Sequence, residues 1–274
     1  MIIKVNELSF SVNLNENQFD NTKTPLLLLH GFTGSKLDWN FIYKDLTKKV
    51  FPIAIDLIGH GNSDSPNELN HYLSDSIVEQ LKYIIEDFTK GKIYLLGYSM
   101  GGRAALSFAL KYPQEIKALI LESSSAGIKT ENERLERIKK DEELADFILN
   151  NPIEKFVDNW MKLDIFATQK RFSNQKLDEI KKSKLDNNKI GLANSLKGFS
   201  TGKMPSYYGD LKNFQPGTLL ITGELDSKFT DINIAMASLL PNSTHEVIKN
   251  AGHNTHLEEP KKFIESVNRF LEQF

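Results

Sequence analysis

The chain has 274 residues, 26% of them charged, and its formal net charge of −2 gives no strong field that would favour nucleic acid or an anionic membrane. It contains no cysteine, which excludes disulfide bonds and thiolate metal sites, and it shows neither a secretory leader pattern nor a run of about 18 apolar residues. The composition therefore predicts a cytoplasmic protein that acts on a small molecule without membrane or nucleic-acid partners, with a monomer favoured and an oligomer left open.

The first half of the chain predicts strands that alternate with helices. Loose alternation of apolar and polar residues over 1–20 predicts an antiparallel hairpin at a sheet edge. An apolar stripe at helical spacing covers residues 75–88. Mostly apolar runs, typical of parallel strands covered on both faces, occur at 25–29, 51–55, 93–98 and 116–121. This alternation predicts an α/β fold with a mostly parallel sheet and helices on both faces.

The composition changes between residues 128 and 206, where charge is dense and strand patterns vanish. We interpret residues 128–206 as a helical cap inserted into a core domain formed by 1–127 and 207–274. Such an insertion would cover the carboxyl edge of the sheet, where open α/β sheets bind their ligands. Beyond it the pattern predicts strands at 217–221 and 243–248, a helix from about 231 to 240, and a C-terminal helix.

The segment 97–101 fits the pattern G-x-S-x-G, with Ser99 between an apolar run and a helical pattern. Ser99 is therefore predicted on a sharp strand-to-helix turn, at the positive end of the helix. In such a turn the backbone N–H of Met100 is one expected oxyanion donor. The loop after the first buried strand is expected to face the same crevice, so Phe32 is predicted to supply the second donor. We expect His30, just before it, to shape that loop.

A serine hydroxyl needs an imidazole to take its proton and an acid to orient that imidazole. Of the six histidines, His253 is favoured because it follows the last strand in a glycine turn, with His256 as the rival. Asp226 follows a buried strand and keeps the chain order serine, acid, histidine, with Glu224 as the alternative. No spacing of histidines and acids suits a metal, and no glycine-rich loop matches a nucleotide motif, so neither metal nor cofactor is predicted.

Arg103 lies four residues after the serine, on the first turn of the predicted helix. Its guanidinium can lie near the pocket, where an uncharged ester would offer it no partner. An arginine fork suits a carboxylate, so a carboxylate-bearing substrate is predicted. A salt bridge to an acid of the cap is the alternative.

Taken together, residues 30–32 and 56–63, the serine turn, Asp226 and His253 resemble the α/β-hydrolase superfamily over almost the whole chain. Further segments, several of them in the cap, resemble the 2-succinyl-6-hydroxy-2,4-cyclohexadiene-1-carboxylate (SHCHC) synthases of menaquinone (vitamin K2) biosynthesis. These segments are 97–103, 133–137, 159–160, 166–167, 187–188, 201–206, 226–229 and 251–256.

The narrower resemblance implies a carbon–oxygen lyase that eliminates pyruvate, without hydrolysis, from a substrate with several carboxylates. It implies that Arg103, Arg137 and Lys184 hold those carboxylates, although the family often has an arginine at the position of Lys184. Only the resemblance favours Arg137 over Arg134. The remaining predicted substrate-binding residues are Tyr98, Trp160 and His30, and packing is the alternative role for Tyr98 and Trp160.

Two other functions stay open at this point. An esterase or carbon–carbon bond hydrolase would use Ser99 as a nucleophile and form an acyl-enzyme, and the sequence does not decide between base and nucleophile. A binding protein on the same fold is disfavoured because all three triad positions are filled. A dehalogenase would need an acid at position 99 and is excluded.

Overall fold

The structure, a computed structural model, describes residues 1–14, 22–43, 45–46 and 50–274. Its centre is a sheet whose strands are β1 (Ile2–Val5), β2 (Leu8–Leu14), β3 (Thr24–Leu29), β4 (Val50–Ile55), β5 (Ile93–Tyr98), β6 (Ile116–Glu122), β7 (Gly217–Gly223) and β8 (Ser243–Ile248). The strands lie in the order β1-β2-β4-β3-β5-β6-β7-β8. The pairs from β4 to β8 are parallel, and only β1 and β2 join antiparallel. The predicted mostly parallel sheet is confirmed.

The described part of the chain has nine α-helices. They are α1 (Ser74–Glu86), α2 (Met100–Lys111), α3 (Glu131–Asn150), α4 (Ile153–Trp160), α5 (Asn174–Leu185), α6 (Lys189–Phe199), α7 (Ser227–Ala237), α8 (Thr255–Glu258) and α9 (Pro260–Leu271). Of these, α1, α2 and α7 pack on one face of the sheet and α9 on the other. In β3, Leu27 and Leu29 belong to the apolar cluster of α1, α2 and α7, whereas Leu26 and Leu28 belong to that of α9. Side chains of a strand alternate between faces, so a strand covered twice is apolar throughout.

Helices α3 to α6 lie between β6 and β7 and form, with their connections, what we call the insertion (residues 128–206). They share an apolar cluster of their own, which includes Ile148, Phe156 and Leu192. Phe32, from the loop after β3, packs against that cluster and links the insertion to the core. The division into a core domain and a cap domain stays a prediction.

The structure differs from the predicted elements at a few places. The predicted N-terminal hairpin is found as β1 and β2, and residues 15–20 of the predicted segment lie outside the described residues. Helix α7 begins at Ser227, four residues earlier than predicted, because the Asp226 carboxylate accepts a hydrogen bond from the N–H of Phe229 and caps the helix. Short α8 was not predicted. In the described part of the chain, no helix has the length and apolar character that crossing a membrane requires.

Candidate active site

Ser99 lies on the sharp turn between β5 and α2. Its φ of 50° and ψ of −106° fall outside the regions that residues other than glycine usually adopt, so the turn is strained. The flanking glycines make this turn possible: a Cβ on Gly97 would lie 2.3 Å from the carbonyl oxygen of Gly101, and one on Gly101 would lie 2.3 Å from that of Leu29. The G-x-S-x-G spacing therefore reflects close backbone contacts on both sides of the serine.

The structure brings Ser99, His253 and Asp226 together at the carboxyl edge of the sheet. His253 Nε2 lies 3.1 Å from Ser99 Oγ, and His253 Nδ1 lies 2.6 Å from Asp226 Oδ2. Both His253 and Asp226 are buried, whereas Ser99 is partly accessible. With Nδ1 donating to the carboxylate, Nε2 is left as the acceptor for the serine proton.

The alternatives for the base and the acid have other partners. His256 is buried against Glu122, with 2.6 Å between Nδ1 and Oε2, and its own backbone N–H donates to the same carboxylate. Glu224 is exposed and accepts a hydrogen bond from the backbone N–H of Asn250. The geometry thus favours His253 and Asp226.

The two predicted oxyanion donors both line the space above Ser99. Met100 is the first residue of α2, so its N–H has no partner within the helix. Phe32 lies in the turn from Gly31 to Gly34, and among the described residues its N–H donates to no protein acceptor. A Cβ on Gly31 would lie 3.6 Å from the Cβ of Ser99, so this turn lies directly beside the serine. Two free N–H groups can therefore meet negative charge that develops there.

A cavity of about 160 Å³ lies above the triad, with walls from the core and the insertion. The residues that line it include Phe32, Tyr98, Ser99, Met100, Arg103, Arg137, Asp141, Trp160, Lys228, Phe229 and His253. Three of these, Asp141, Lys228 and Phe229, were not predicted as site residues. Asp141 is one of many acids in a charged helix, and only its spacing four residues after Arg137 hinted at a pair. Lys228 is exposed, and the only signal for Lys228 and Phe229 was that the segment 226–229 resembles the synthases.

Arg103 carries a positive charge into this cavity. Its Nη1 donates to the carbonyl oxygen of Phe199 over 2.7 Å, and the guanidinium stacks on the Phe199 ring. Within the described ranges no carboxylate forms an ion pair with Arg103, so the alternative of a salt bridge to an acid of the insertion is not observed. Burial, and then the neighbouring charge of Arg137, lower the pKa of Arg103 to about 9. A bound anion would relieve both effects.

Arg137 also lines the cavity, whereas Arg134 does not. Arg137 Nε lies 2.7 Å from Asp141 Oδ2, an interaction that leaves the two terminal nitrogens of its fork available. Arg134 instead donates from Nε to the carbonyl oxygen of Gly202. Of the two arginines, the structure thus places Arg137 where a ligand can reach it.

Two aromatic residues on the cavity wall carry hydrogen-bond donors. Burial, followed by the charge of Glu122, raises the pKa of Tyr98 well above its ordinary value, so its hydroxyl stays protonated. That hydroxyl makes no hydrogen bond within the described part of the chain. The indole N–H of Trp160 is buried without an acceptor there, and its ring packs against Phe32 with 5.1 Å between ring centroids. Both predicted pocket residues therefore reach the cavity.

The structure does not place His30 at the cavity, in contrast to the predicted substrate contact. His30 is fully buried, its Nε2 accepts a hydrogen bond from the N–H of Leu57, and its Nδ1 lies 2.7 Å from the carbonyl oxygen of Gly31. Because both ring nitrogens have partners inside the core, His30 has no free atom for a substrate. Its contacts fit the expected role of shaping the loop.

Lys184 is also outside the cavity wall, so the predicted carboxylate contact is not seen. Its Nζ donates to Thr33 Oγ1 over 3.0 Å, beneath the loop that carries Phe32. Burial lowers the pKa of this ammonium group. The ammonium group of Lys184 thus has Thr33 as its partner, where the resemblance implied a substrate carboxylate.

A model of the alpha/beta hydrolase fold matches residues 24–260 of the chain. A putative SHCHC synthase of Bacillus subtilis is 43% identical over 92% of this chain and 91% of its own length, and an SHCHC synthase of Enterobacter is 30% identical over 86% of each chain. The solved structure of MenH from S. aureus, 33% identical, covers 96% of this chain and 98% of its own with a TM-score of 0.89. The chain therefore belongs to the α/β-hydrolase family, in the branch that includes these synthases.

Proposed function

We propose that this protein is a lyase that eliminates pyruvate from 2-succinyl-5-enolpyruvyl-6-hydroxy-3-cyclohexene-1-carboxylate to give SHCHC, a step of menaquinone biosynthesis. The observation that carries the proposal is the guanidinium of Arg103, which has no carboxylate partner among the described residues and shares a cavity with a complete triad. A substrate with several carboxylates supplies the partner that an uncharged ester lacks. The names of the two synthases that resemble the chain support the same reaction.

The triad prepares Ser99 to act as a base. His253, oriented by Asp226, accepts the hydroxyl proton of Ser99, and the serine oxygen then removes the ring proton at carbon 2 of the substrate. That proton is acidic because carbon 2 carries the succinyl carbonyl. The electron pair of the broken carbon–hydrogen bond forms a double bond between carbons 2 and 3. The pair of the former double bond between carbons 3 and 4 forms a double bond between carbons 4 and 5, and the bond from carbon 5 to the enolpyruvyl oxygen breaks, with its electrons leaving on that oxygen.

The charges balance without a cofactor. Negative charge develops on the succinyl carbonyl oxygen, where the free N–H groups of Phe32 and Met100 would stabilise it by about 3 kcal/mol each. The leaving enolpyruvate takes up one proton and becomes pyruvate. The ring proton stays on Ser99 as its hydroxyl proton, and His253 releases the proton that it had accepted from Ser99. This release balances the proton taken up by enolpyruvate and restores the triad.

The cavity walls suit the groups that this substrate carries. Its three carboxylates would bind the forks of Arg103 and Arg137, with the Tyr98 hydroxyl as a further donor. The cavity of about 160 Å³ is smaller than the roughly 300 Å³ or more typical of ligand sites. An outward movement of the insertion would enlarge the cavity, as the movement of lids does in other enzymes.

The test is pyruvate release by purified protein, followed through lactate dehydrogenase, with appearance of the conjugated diene as a second signal. We expect release far above the spontaneous rate, and loss of that excess in Ser99→Ala. The control is Ser238→Ala, which removes a hydroxyl from the exposed surface. Release by the wild-type protein at the spontaneous rate would refute the proposal.

A hydrolase is the second candidate, because a serine 3.1 Å from an imidazole and beside two free N–H groups is also the arrangement of a nucleophile. In that case Ser99 would attack a carbonyl and form an acyl-enzyme. A burst of product from p-nitrophenyl acetate, with a stable adduct on Ser99, would favour it. The charged cavity argues for the lyase, since a neutral ester would add no negative charge beside Arg103 and Arg137, which share the single carboxylate of Asp141 in the cavity wall.

A further inference from the structure

Thr33, the residue after Phe32, has an unusual backbone conformation. Its φ is +65°, in the left-handed region that β-branched residues avoid, and its side chain is fully buried. It occupies the third position of a tight turn in which the N–H of Gly34 donates to the carbonyl oxygen of Gly31 over 3.0 Å. A positive φ at that position is usually provided by glycine. Something outside the turn must therefore hold Thr33 in place.

The end of helix α5 and the turn that follows it supply that restraint. Asn187 Nδ2 donates to the carbonyl oxygen of Thr33 over 3.0 Å, and Lys184 Nζ donates to its hydroxyl over 3.0 Å. Asn187 is itself buried, and its Oδ1 accepts a hydrogen bond from the N–H of Gly61. The amide of Asn187 thus bridges the loop after β3 and the loop after β4. Both donors come from the insertion, and both end on the same strained residue.

We propose that Asn187 and Lys184 are positioning residues that hold the oxyanion loop, so that the Phe32 N–H faces Ser99 only when helix α5 is seated on Thr33. The inference rests on the proposed role of Phe32 as an oxyanion donor. If Thr33 relaxes to a negative φ, the turn from Gly31 to Gly34 opens and the donor turns away from the serine. The insertion then has two functions: it encloses the substrate, and it completes the oxyanion hole.

Asn187→Ala tests this inference, and its neighbour provides a matched control. We expect Asn187→Ala to lower kcat of pyruvate release about tenfold to a hundredfold, because part of one donor's contribution is lost, while KM changes little. Asn188 caps α6 through its side chain, which accepts from the N–H groups of Ile190 and Gly191. Asn188→Ala should therefore lower the Tm and leave kcat near the wild-type value.

Rescue by glycine separates positioning from general damage. Glycine adopts a positive φ without restraint, so Thr33→Gly in the Asn187→Ala background should restore most of kcat. In the second pair, Lys184→Met should lower kcat, and Lys182→Met, on the exposed side of the same helix, should not. The comparison of Lys184→Met with Lys182→Met provides the test if the Asn187→Ala protein does not fold. Unchanged kcat in both Asn187→Ala and Lys184→Met, or a double variant no better than Asn187→Ala, would overturn the inference.

Amide hydrogen exchange tests the restraint on the loop without any catalytic turnover, so its result does not depend on the proposed reaction. Amide hydrogen exchange over residues 31–34 should accelerate in Asn187→Ala and stay at the wild-type rate in Asn188→Ala. If the wild-type protein releases no pyruvate, the proposed function fails, and the exchange comparison still decides whether α5 restrains the loop. Equal exchange in Asn187→Ala and the wild-type protein would refute the restraint.

Discussion

Arg103 donates from Nη1 to the carbonyl oxygen of Phe199 over 2.7 Å and stacks on its ring, so the guanidinium is held in the cavity by a neutral group. A substrate carboxylate would provide the charge that Phe199 lacks. A hydrogen bond to a charged group contributes about 1.5–3 kcal/mol. Arg103→Met should therefore lower kcat/KM for pyruvate release by roughly tenfold to 150-fold.

The conservative variant Arg103→Lys should have a kcat/KM between those of Arg103→Met and the wild-type protein, because lysine keeps the positive charge but lacks the two-pronged guanidinium group. Arg134→Met is the matched control, since Arg134 bonds to the carbonyl oxygen of Gly202 and does not line the cavity. Steady-state kinetics of the three variants checks the prediction. Equal kcat/KM in Arg103→Met and Arg134→Met would contradict it.

The Tyr98 hydroxyl offers a neutral donor to the same substrate. Tyr98→Phe keeps the ring that packs against His253 and removes only this donor. We expect KM to rise about twofold to tenfold, since a neutral hydrogen bond contributes about 0.5–1.5 kcal/mol, with kcat almost unchanged. Tyr43→Phe is the control: its hydroxyl donates to the carbonyl oxygen of Asn13, and its loss should affect stability without changing KM.

The glycine after Met100 controls the distance between the serine turn and the oxyanion loop. A Cβ on Gly101 would lie 2.3 Å from the carbonyl oxygen of Leu29 and 2.5 Å from that of His30. Gly101→Ala must push these backbones apart, so we expect a loss of about 1–3 kcal/mol in the free energy of unfolding and a large fall in kcat.

Urea denaturation and pyruvate release measure the two effects. Gly209→Ala is the matched control, because nothing lies within 4 Å of its Cβ position. Activity of Gly101→Ala at the level of Gly209→Ala would mean that the two backbones tolerate a wider separation.

Much of the triad could be predicted because its signals are local. The glycines around Ser99 mark a turn that only small residues permit, and Asp226 and His253 each follow a buried strand. Parallel strands bring their carboxyl ends to one edge, so three distant residues converge once the strands are recognised. The same reasoning placed the loop of Phe32 beside the serine.

The parts that escaped prediction depend on contacts between distant segments. Nothing in the sequence around Thr33 indicates a left-handed residue, since its restraints come from Asn187 and Lys184. Asp141 resembles its solvated neighbours until α3 packs over the cavity. His30 was placed in the right loop, but its ring turns inward to Leu57. The direction of a side chain in the loop after a strand depends on its packing partners, and the spacing of apolar residues in the sequence does not predict those partners.

A buried ion pair supports the loop after β4. Asp56 is fully buried and accepts hydrogen bonds from Lys36 Nζ at 2.5 Å, from the Lys36 N–H at 2.6 Å and from the Asn62 N–H at 2.9 Å. Lys36→Met leaves that carboxylate without a cation and should lower the free energy of unfolding by about 3–5 kcal/mol.

Urea denaturation measures this change, and an exposed pair gives the comparison. Lys111→Met breaks an ion pair with Glu79 in which both side chains are more than 40% exposed, and should change stability by no more than about 1 kcal/mol. Equal destabilisation by the two variants would show that the negative charge of Asp56 is compensated by another group when Lys36 is replaced.

In the proposed reaction Ser99 acts as a base in an elimination. A single-turnover reaction of excess enzyme with 2-succinyl-5-enolpyruvyl-6-hydroxy-3-cyclohexene-1-carboxylate, protonated or deuterated at carbon 2, tests it directly when pyruvate and the intact protein mass are both followed. We expect pyruvate release that slows on deuteration while the protein mass stays constant. A substrate fragment attached to Ser99, formed and lost on the timescale of pyruvate release, would contradict the claim.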